Sequence, residues 1–211
     1  MTKEKIFEWY MNDSLENNQT PSSVYLFCKN HEIEETEFYK FFGSLDNIEK
    51  HIFANMFDHT LEVLSEDPNY VTYDFKSKLL AFYFTFFEVL KANRSFVMLS
   101  INSDKPSLKN LTKLGLLREN FKKYISSIDH EITEKTPEKL KKAQEKNIEE
   151  SFWIQLLITL KFWLDDDSAG FEKTDIFIEK SVNAGFELLN TNPLENTIDF
   201  GKFLFKERFN D

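Results

Sequence analysis

The chain of 211 residues carries 36 acidic and 26 basic residues, a formal net charge of −10, and is 41% hydrophobic. This balance is typical of a soluble folded protein, and it excludes both an intrinsically disordered chain and a nucleic-acid binder that works through overall charge. The single cysteine, Cys28, excludes an internal disulfide, and we expect a cytoplasmic protein because no signal-peptide pattern and no apolar stretch of membrane-spanning length is found.

The N-terminal third has the spacing of four helices. Apolar residues at helical intervals predict the first, and Thr20-Pro21 predicts the start of the second, because threonine caps helices and proline suits the first helical position. Gly43 ends the third, and Ser44 caps a long fourth helix. The predicted helices are Lys3–Glu16, Thr20–Asn30, Glu35–Phe41 and a segment that begins after Ser44 and ends before Pro68.

The rest of the chain also reads as helical, because it has few glycines and prolines and long apolar-periodic runs. The stretch Ile148–Trp163 is apolar nearly all round, which predicts a helix buried on more than one side. The predicted segments are Tyr73–Lys91, Ser95–Ile101, Pro106–Ile132, a helix opened by Thr136-Pro137, the apolar stretch Ile148–Trp163, Phe171–Leu189 and Leu194–Phe209. The fold class is therefore predicted to be all-α.

Two short helices joined by a tight turn form a helix-turn-helix module. The motif Phe38-Tyr39-x-x-Phe42-Gly-Ser44, followed by an acid and Ile48, resembles the signature of the TetR family of transcriptional regulators. The segment Phe162–Leu189 resembles the last two helices of that family's ligand-binding domain. The resemblance implies a helix-turn-helix domain at residues 1–45 and a helical ligand-binding and dimerisation domain at residues 46–211.

The resemblance also implies where DNA would be contacted, but the chemistry there departs from the family. The implied DNA-contact candidates are Thr36, Glu37, Tyr39, Lys40 and Ser44. The family usually has a glycine at the position of Glu32, a serine or threonine cap at Glu34, and a lysine at Leu45. Residues 1–60 hold five lysines and no arginine against eleven acids, a net charge of −6, which opposes phosphate binding. Acids at the start of a helix also have a purely structural interpretation, since they interact favourably with the helix dipole.

A phenylalanine-rich cluster in the middle of the chain is the candidate ligand pocket. Its candidate lining residues are Phe82, Phe86, Phe87, Leu90, Met98, Phe121, Tyr124, Phe152 and Trp153. No charged residue is clearly embedded among them, so a ligand would be apolar. The alternative interpretation is a plain aromatic core.

The apolar stretch that begins at Ile148 and the helix that follows it are predicted to form a four-helix homodimer interface, as in the resembling family. The candidate interface residues are Phe152, Leu156, Trp163, Phe177, Ser181, Ala184, Gly185 and Leu188. Small residues at three of these positions allow helices to approach closely.

Two functions follow from these patterns. The first is a transcriptional regulator that responds to an apolar ligand, with direct DNA binding opposed by the local acidity. The alternative is a TetR-fold protein that has lost DNA binding and carries a lipid or isoprenoid, with its amphipathic last helix on a membrane surface. No catalytic motif supports an enzyme, and no cofactor is expected. His51 and His59 lie about 12 Å apart along a helix and cannot share a metal ion.

Overall fold

The computed structural model describes residues 1–101, 112–128 and 138–190, with side chains for 1–101, 112–128 and 148–186. These residues contain nine α-helices and no β-strand, which confirms the all-α prediction. The helices are α1 (Lys3–Glu16), α2 (Val24–Asn30), α3 (Glu35–Phe38), α4 (Leu45–Ser65), α5 (Phe75–Ala92), α6 (Arg94–Ile101), α7 (Gly115–Ile128), α8 (Glu138–Asp165) and α9 (Glu172–Asn190). The predicted helix Leu194–Phe209 lies outside the described residues.

The first three helices form an N-terminal head around buried aromatic rings. The ring centroids of Phe27 and Phe38 are 5.9 Å apart, and Tyr10 of α1 lies 6.4 Å from Phe27. The predicted start of α2 at Thr20 is wrong: Ser23 caps this helix, and its hydroxyl accepts a hydrogen bond from the Leu26 amide at 3.2 Å. Both residue types cap helices, so the residue type alone did not distinguish the two positions.

The fourth helix runs from the head into the body, where it packs against α5 and α7. Phe57 of α4 contacts Phe82 of α5, with ring centroids 5.4 Å apart. On another side of α5, Phe75 contacts Phe152 of α8 at 5.5 Å and Phe186 of α9 at 5.0 Å. The phenylalanines of α5 therefore pack against α4 on one side and against α8 and α9 on the other.

A buried polar connection also links head and body. Glu49 of α4 is 3% exposed, accepts a hydrogen bond from the Tyr10 hydroxyl at 3.2 Å, and pairs with Lys113 at 2.8 Å. Lys113 also donates to the carbonyl of Ser100 at the end of α6. A buried carboxylate needs such partners, because leaving it unpaired is costly.

Two residues hold the end of α8 in place: Arg94 contacts it from α6, and Asp166 bonds to Thr174 of α9. The Arg94 guanidinium lies 4.3 Å from the ring centroids of both Trp163 and Phe171 and donates to the Trp163 carbonyl at 2.9 Å. Burial would raise the pKa of Asp166, but hydrogen bonds from Ser168 and Thr174 outweigh it and hold the pKa well below its usual range. These contacts fix how the end of α8 packs against α6 and α9.

Candidate functional site

The predicted DNA-contact residues lie on one small region around α3. Thr36, Tyr39, Lys40 and Ser44 are exposed, and Glu37 is half-buried. Lys40, in the turn that follows α3, forms an ion pair with Glu37 of that helix. The Tyr39 hydroxyl donates to the Glu35 carboxylate at 3.4 Å. The cation and the hydroxyl with phosphate-binding chemistry are thus both engaged by neighbouring acids.

In the turn before α3, Glu32 adopts a backbone conformation that normally suits glycine. Glu32 has a φ of 54°, in the left-handed region. The turn is closed by a hydrogen bond from the Ile33 amide to the Cys28 carbonyl at 3.0 Å. Glu34, which begins α3, makes no side-chain capping bond, and neither does Ser44 before α4. The helix-turn-helix geometry is therefore kept, while its capping and phosphate-facing chemistry has changed.

Negative charge dominates the surface of this turn and helix. No lysine or arginine of the described chain forms an ion pair with Glu32, Glu34 or Glu35. Burial and the charges of Glu35 and Glu34 raise the pKa of the Cys28 thiol. Partial desolvation and the nearby Glu35 likewise raise the pKa of the Tyr39 hydroxyl. In both cases burial is the larger cause of the raised pKa, and the nearby carboxylates add to it.

The residues predicted to line a ligand pocket come together in the body. All are buried except Met98, which is half-buried. Phe82 is the centre of the cluster: its ring centroid lies 5.4 Å from Phe86, 5.3 Å from Phe121 and 5.0 Å from Tyr124. The Tyr124 hydroxyl donates to the Lys78 carbonyl at 3.1 Å.

The gap beside this cluster is too narrow to hold a water molecule. Its lining residues are Phe53, Phe86, Leu90, Leu114, Leu117, Trp153, Leu156, Leu157 and Leu160. At this place the side chains fill the space as a core does, which agrees with the alternative interpretation of the aromatic pattern. A ligand would have to displace side chains to enter here.

Three of the predicted dimer residues face the interior of the protomer. Phe152 is 3% exposed, Leu156 1% and Trp163 1%, so none offers a surface to a second chain. Ser181 and Gly185 pack beside Gln155 of the same protomer, whose amide donates to the Ser181 hydroxyl at 3.2 Å. Phe177 is half-buried and Ala184 exposed, whereas the side chain of Leu188 lies outside the described residues.

A different set of apolar residues on the same two helices faces outward. Ile154 and Ile158 of α8 are each 54% exposed, Phe162 is 36% exposed, and Ile176 of α9 is 51% exposed. The Phe162 and Phe177 rings stack at 4.5 Å, beside an open groove of about 460 Å³. The spacing of four between Ile154, Ile158 and Phe162 was the signal in the sequence, but an apolar helix does not reveal which of its sides is left uncovered.

Within the described part of the chain, no group of three metal-binding side chains is close enough to hold an ion. His51 lies 3.3 Å from the Lys3 ammonium instead. In the same part of the chain, no helix has the length and apolar character needed to cross a membrane.

The architecture is that of a helical regulator, with a helix-turn-helix head followed by a larger helical body. The comparison with family models agrees: the model described as tetracyclin repressor-like, C-terminal domain, matches residues 78–204. This match covers more than half of the chain, and the protein belongs to the TetR family. A comparison with curated proteins gives no match.

Proposed function

We propose that the protein is a dimeric TetR-family regulator whose head does not bind DNA tightly. The observation that carries this proposal is the charge pairing on and around α3. Lys40 is paired with Glu37, and Glu32, Glu34 and Glu35 lack a basic partner within the described residues. DNA affinity comes mainly from cations that replace the counterions of phosphates. The segment of residues 1–60, which holds the head and most of α4, has a net charge of −6 and supplies repulsion in place of that attraction.

A mobility-shift assay with the DNA upstream of the protein's own gene tests this. At about 50 mM salt, where electrostatic affinity is high, we expect no shifted band at about 10 μM protein. A discrete band at submicromolar protein would show that the head is a DNA reader after all.

Dimerisation is proposed to use the outward-facing residues of α8 and α9. Ile154, Ile158 and Phe162 form one row, and Ile176 lies on the adjacent helix. An exposed apolar surface of this kind marks a protein interface, and two copies related by a two-fold axis would cover it with a four-helix bundle.

A second candidate function, a carrier of an apolar molecule, is favoured by the same acidic head, because a carrier needs no DNA contact. Its binding region would be the cluster around Phe82, with the side chains displaced from their close packing. Native mass spectrometry of the purified protein tests it. A stoichiometric adduct of lipid-like mass would support the carrier, whereas a ligand-free mass together with no uptake from added lipid would count against it.

A further inference from the structure

We propose that the Lys3–His51 contact, formed by Lys3, Phe7, Phe42 and His51, makes the head acid-sensitive: protonation of His51 releases the start of α1 from α4. This property of the head goes beyond the proposed function and is independent of whether the head binds DNA. It follows from a hydrogen bond that only a neutral imidazole can accept.

The ammonium of Lys3 lies in a half-buried place between three parts of the head. It is 3.3 Å from Nδ1 of His51, on α4. The ring centroids of Phe7, on α1, and of Phe42, just before α4, are 5.7 Å and 5.8 Å away from it. Phe42 in turn packs against Phe7 at 5.6 Å and against the His51 ring at 5.5 Å. The contact therefore joins the start of α1 to the connection between α3 and α4 and to α4 itself.

The protonation state of His51 decides whether this hydrogen bond can exist. A lysine ammonium can only donate, and an imidazole nitrogen accepts only through its lone pair. His51 must therefore be neutral, with Nδ1 unprotonated. When the imidazole takes up a second proton, both of its nitrogens become donors, and two cations face each other in place of the hydrogen bond.

The charges around His51 favour its neutral form. Lys3 and Lys50 are the charged groups that act on it, and both are cations. Asp58, two turns further along α4, interacts electrostatically with Lys3. Within the part of the chain that the structure describes, however, neither Lys3 nor His51 forms an ion pair with a carboxylate. Phe42, which faces His51 from before α4, is uncharged.

The expected pH dependence has a defined sign. Burial, Lys3 and Lys50 all lower the pKa of His51. A histidine whose pKa is lowered by folding contributes stability that is fully present above its ordinary pKa and is lost as the pH falls through the lowered value. The start of α1 is therefore held at neutral pH and loosened in acid.

The other end of α1 is held by a histidine with the opposite response. His31 Nε2 lies 2.9 Å from a carboxylate oxygen of Asp13, and the His31 ring stacks on Trp9 with centroids 4.5 Å apart. Protonation of His31 adds charge attraction to this hydrogen bond. Acid should therefore loosen α1 from its start and not along its whole length.

Hydrogen–deuterium exchange of the full-length protein, read by mass spectrometry of its peptides, tests this. Rates at about pH 7.5 and about pH 5 are compared after correction for the intrinsic effect of pH on exchange. We expect the amides of residues 6–10 to exchange about tenfold faster at the lower pH, and those of residues 11–17 to change less. His51→Gln should remove the difference, because glutamine accepts a hydrogen bond from Lys3 but does not titrate.

The matched control is His59→Gln, the same substitution at an exposed histidine of α4 that lies beside Glu62, and it should keep the difference. Lys3→Met, which leaves an apolar side chain beside the two rings, should remove the difference and raise the pKa of His51 in an NMR titration.

Equal corrected rates at the two pH values in the wild-type protein would overturn the proposal. A difference that persists in His51→Gln, or one that disappears in His59→Gln, would do the same. Faster exchange throughout the described helices at the lower pH would also contradict it, since the loosening would then not begin at Lys3.

Discussion

At the scale of single residues, the turn of the head shows how the fold tolerates an unfavourable side chain. Glu32 occupies a left-handed conformation that costs a residue with a Cβ about 1–2 kcal/mol. The sequence predicted a turn here through the resemblance, and it identified Glu32 as standing in a glycine position. It did not reveal whether the backbone had kept the glycine conformation or had adjusted to the glutamate. The structure has kept it.

The change Glu32→Gly should therefore stabilise the protein. Relief of the backbone strain exceeds the extra chain entropy of glycine, and the free energy of unfolding should rise by about 0.5–1 kcal/mol. Urea denaturation followed by circular dichroism measures it. The matched control is Glu37→Gly within α3, which should lower the free energy of unfolding by about 1 kcal/mol. If both variants lose stability equally, the turn is not strained.

At the scale of elements, α8 marks the limit of what the sequence could predict. The sequence predicted a helix opened by Thr136-Pro137 and an apolar helix at Ile148–Trp163 that is buried on more than one side. The structure has one continuous helix, Glu138–Asp165, on which Ile154 and Ile158 are exposed, and residues 136 and 137 lie outside the described part of the chain. The sequence did not show which side of this helix is left uncovered within the protomer, because Phe152, Leu156 and Trp163 are just as apolar as Ile154, Ile158 and Phe162. Only the positions of α5 and α9, and the corner made by Arg94 and Asp166, decide which row is covered within the protomer.

The outward row of α8 makes a direct prediction about assembly. Ile158→Glu places a charge in the centre of the proposed interface, where burial without a partner is costly, and should convert the dimer to a monomer. Light scattering coupled to size-exclusion chromatography at about 10 μM measures the mass.

The control for this variant is Val71→Glu, which adds the same charge at an exposed apolar site on the 3-10 helix Tyr70–Thr72 and should leave the dimer intact. A dimer that survives Ile158→Glu would place the interface elsewhere. A monomeric wild-type protein would remove it altogether.

At the scale of the whole molecule, the buried residues that hold the fold together follow the family pattern, whereas the exposed residues around α3 do not. Phe38 and Phe42 are buried and hold the head together as the signature predicted, and the body matches its family over residues 78–204. The boundary predicted at residue 45 falls at the start of α4, a helix that continues from the head into the body. The acidity of the surface around α3 follows directly from the sequence, whereas the pairing of Lys40 with Glu37 is visible only in the structure.

Fluorescence anisotropy of a labelled DNA duplex, titrated at about 50 mM salt with the wild-type protein and with the variant Glu34→Ser, Glu35→Lys, Glu37→Thr, tests the central claim most directly. We predict no saturation for the wild-type protein up to about 10 μM. The variant should bind measurably and lose affinity as salt rises, because it gains a cation and frees Lys40. Saturable submicromolar binding by the wild-type protein, weakened by added salt, would contradict the account.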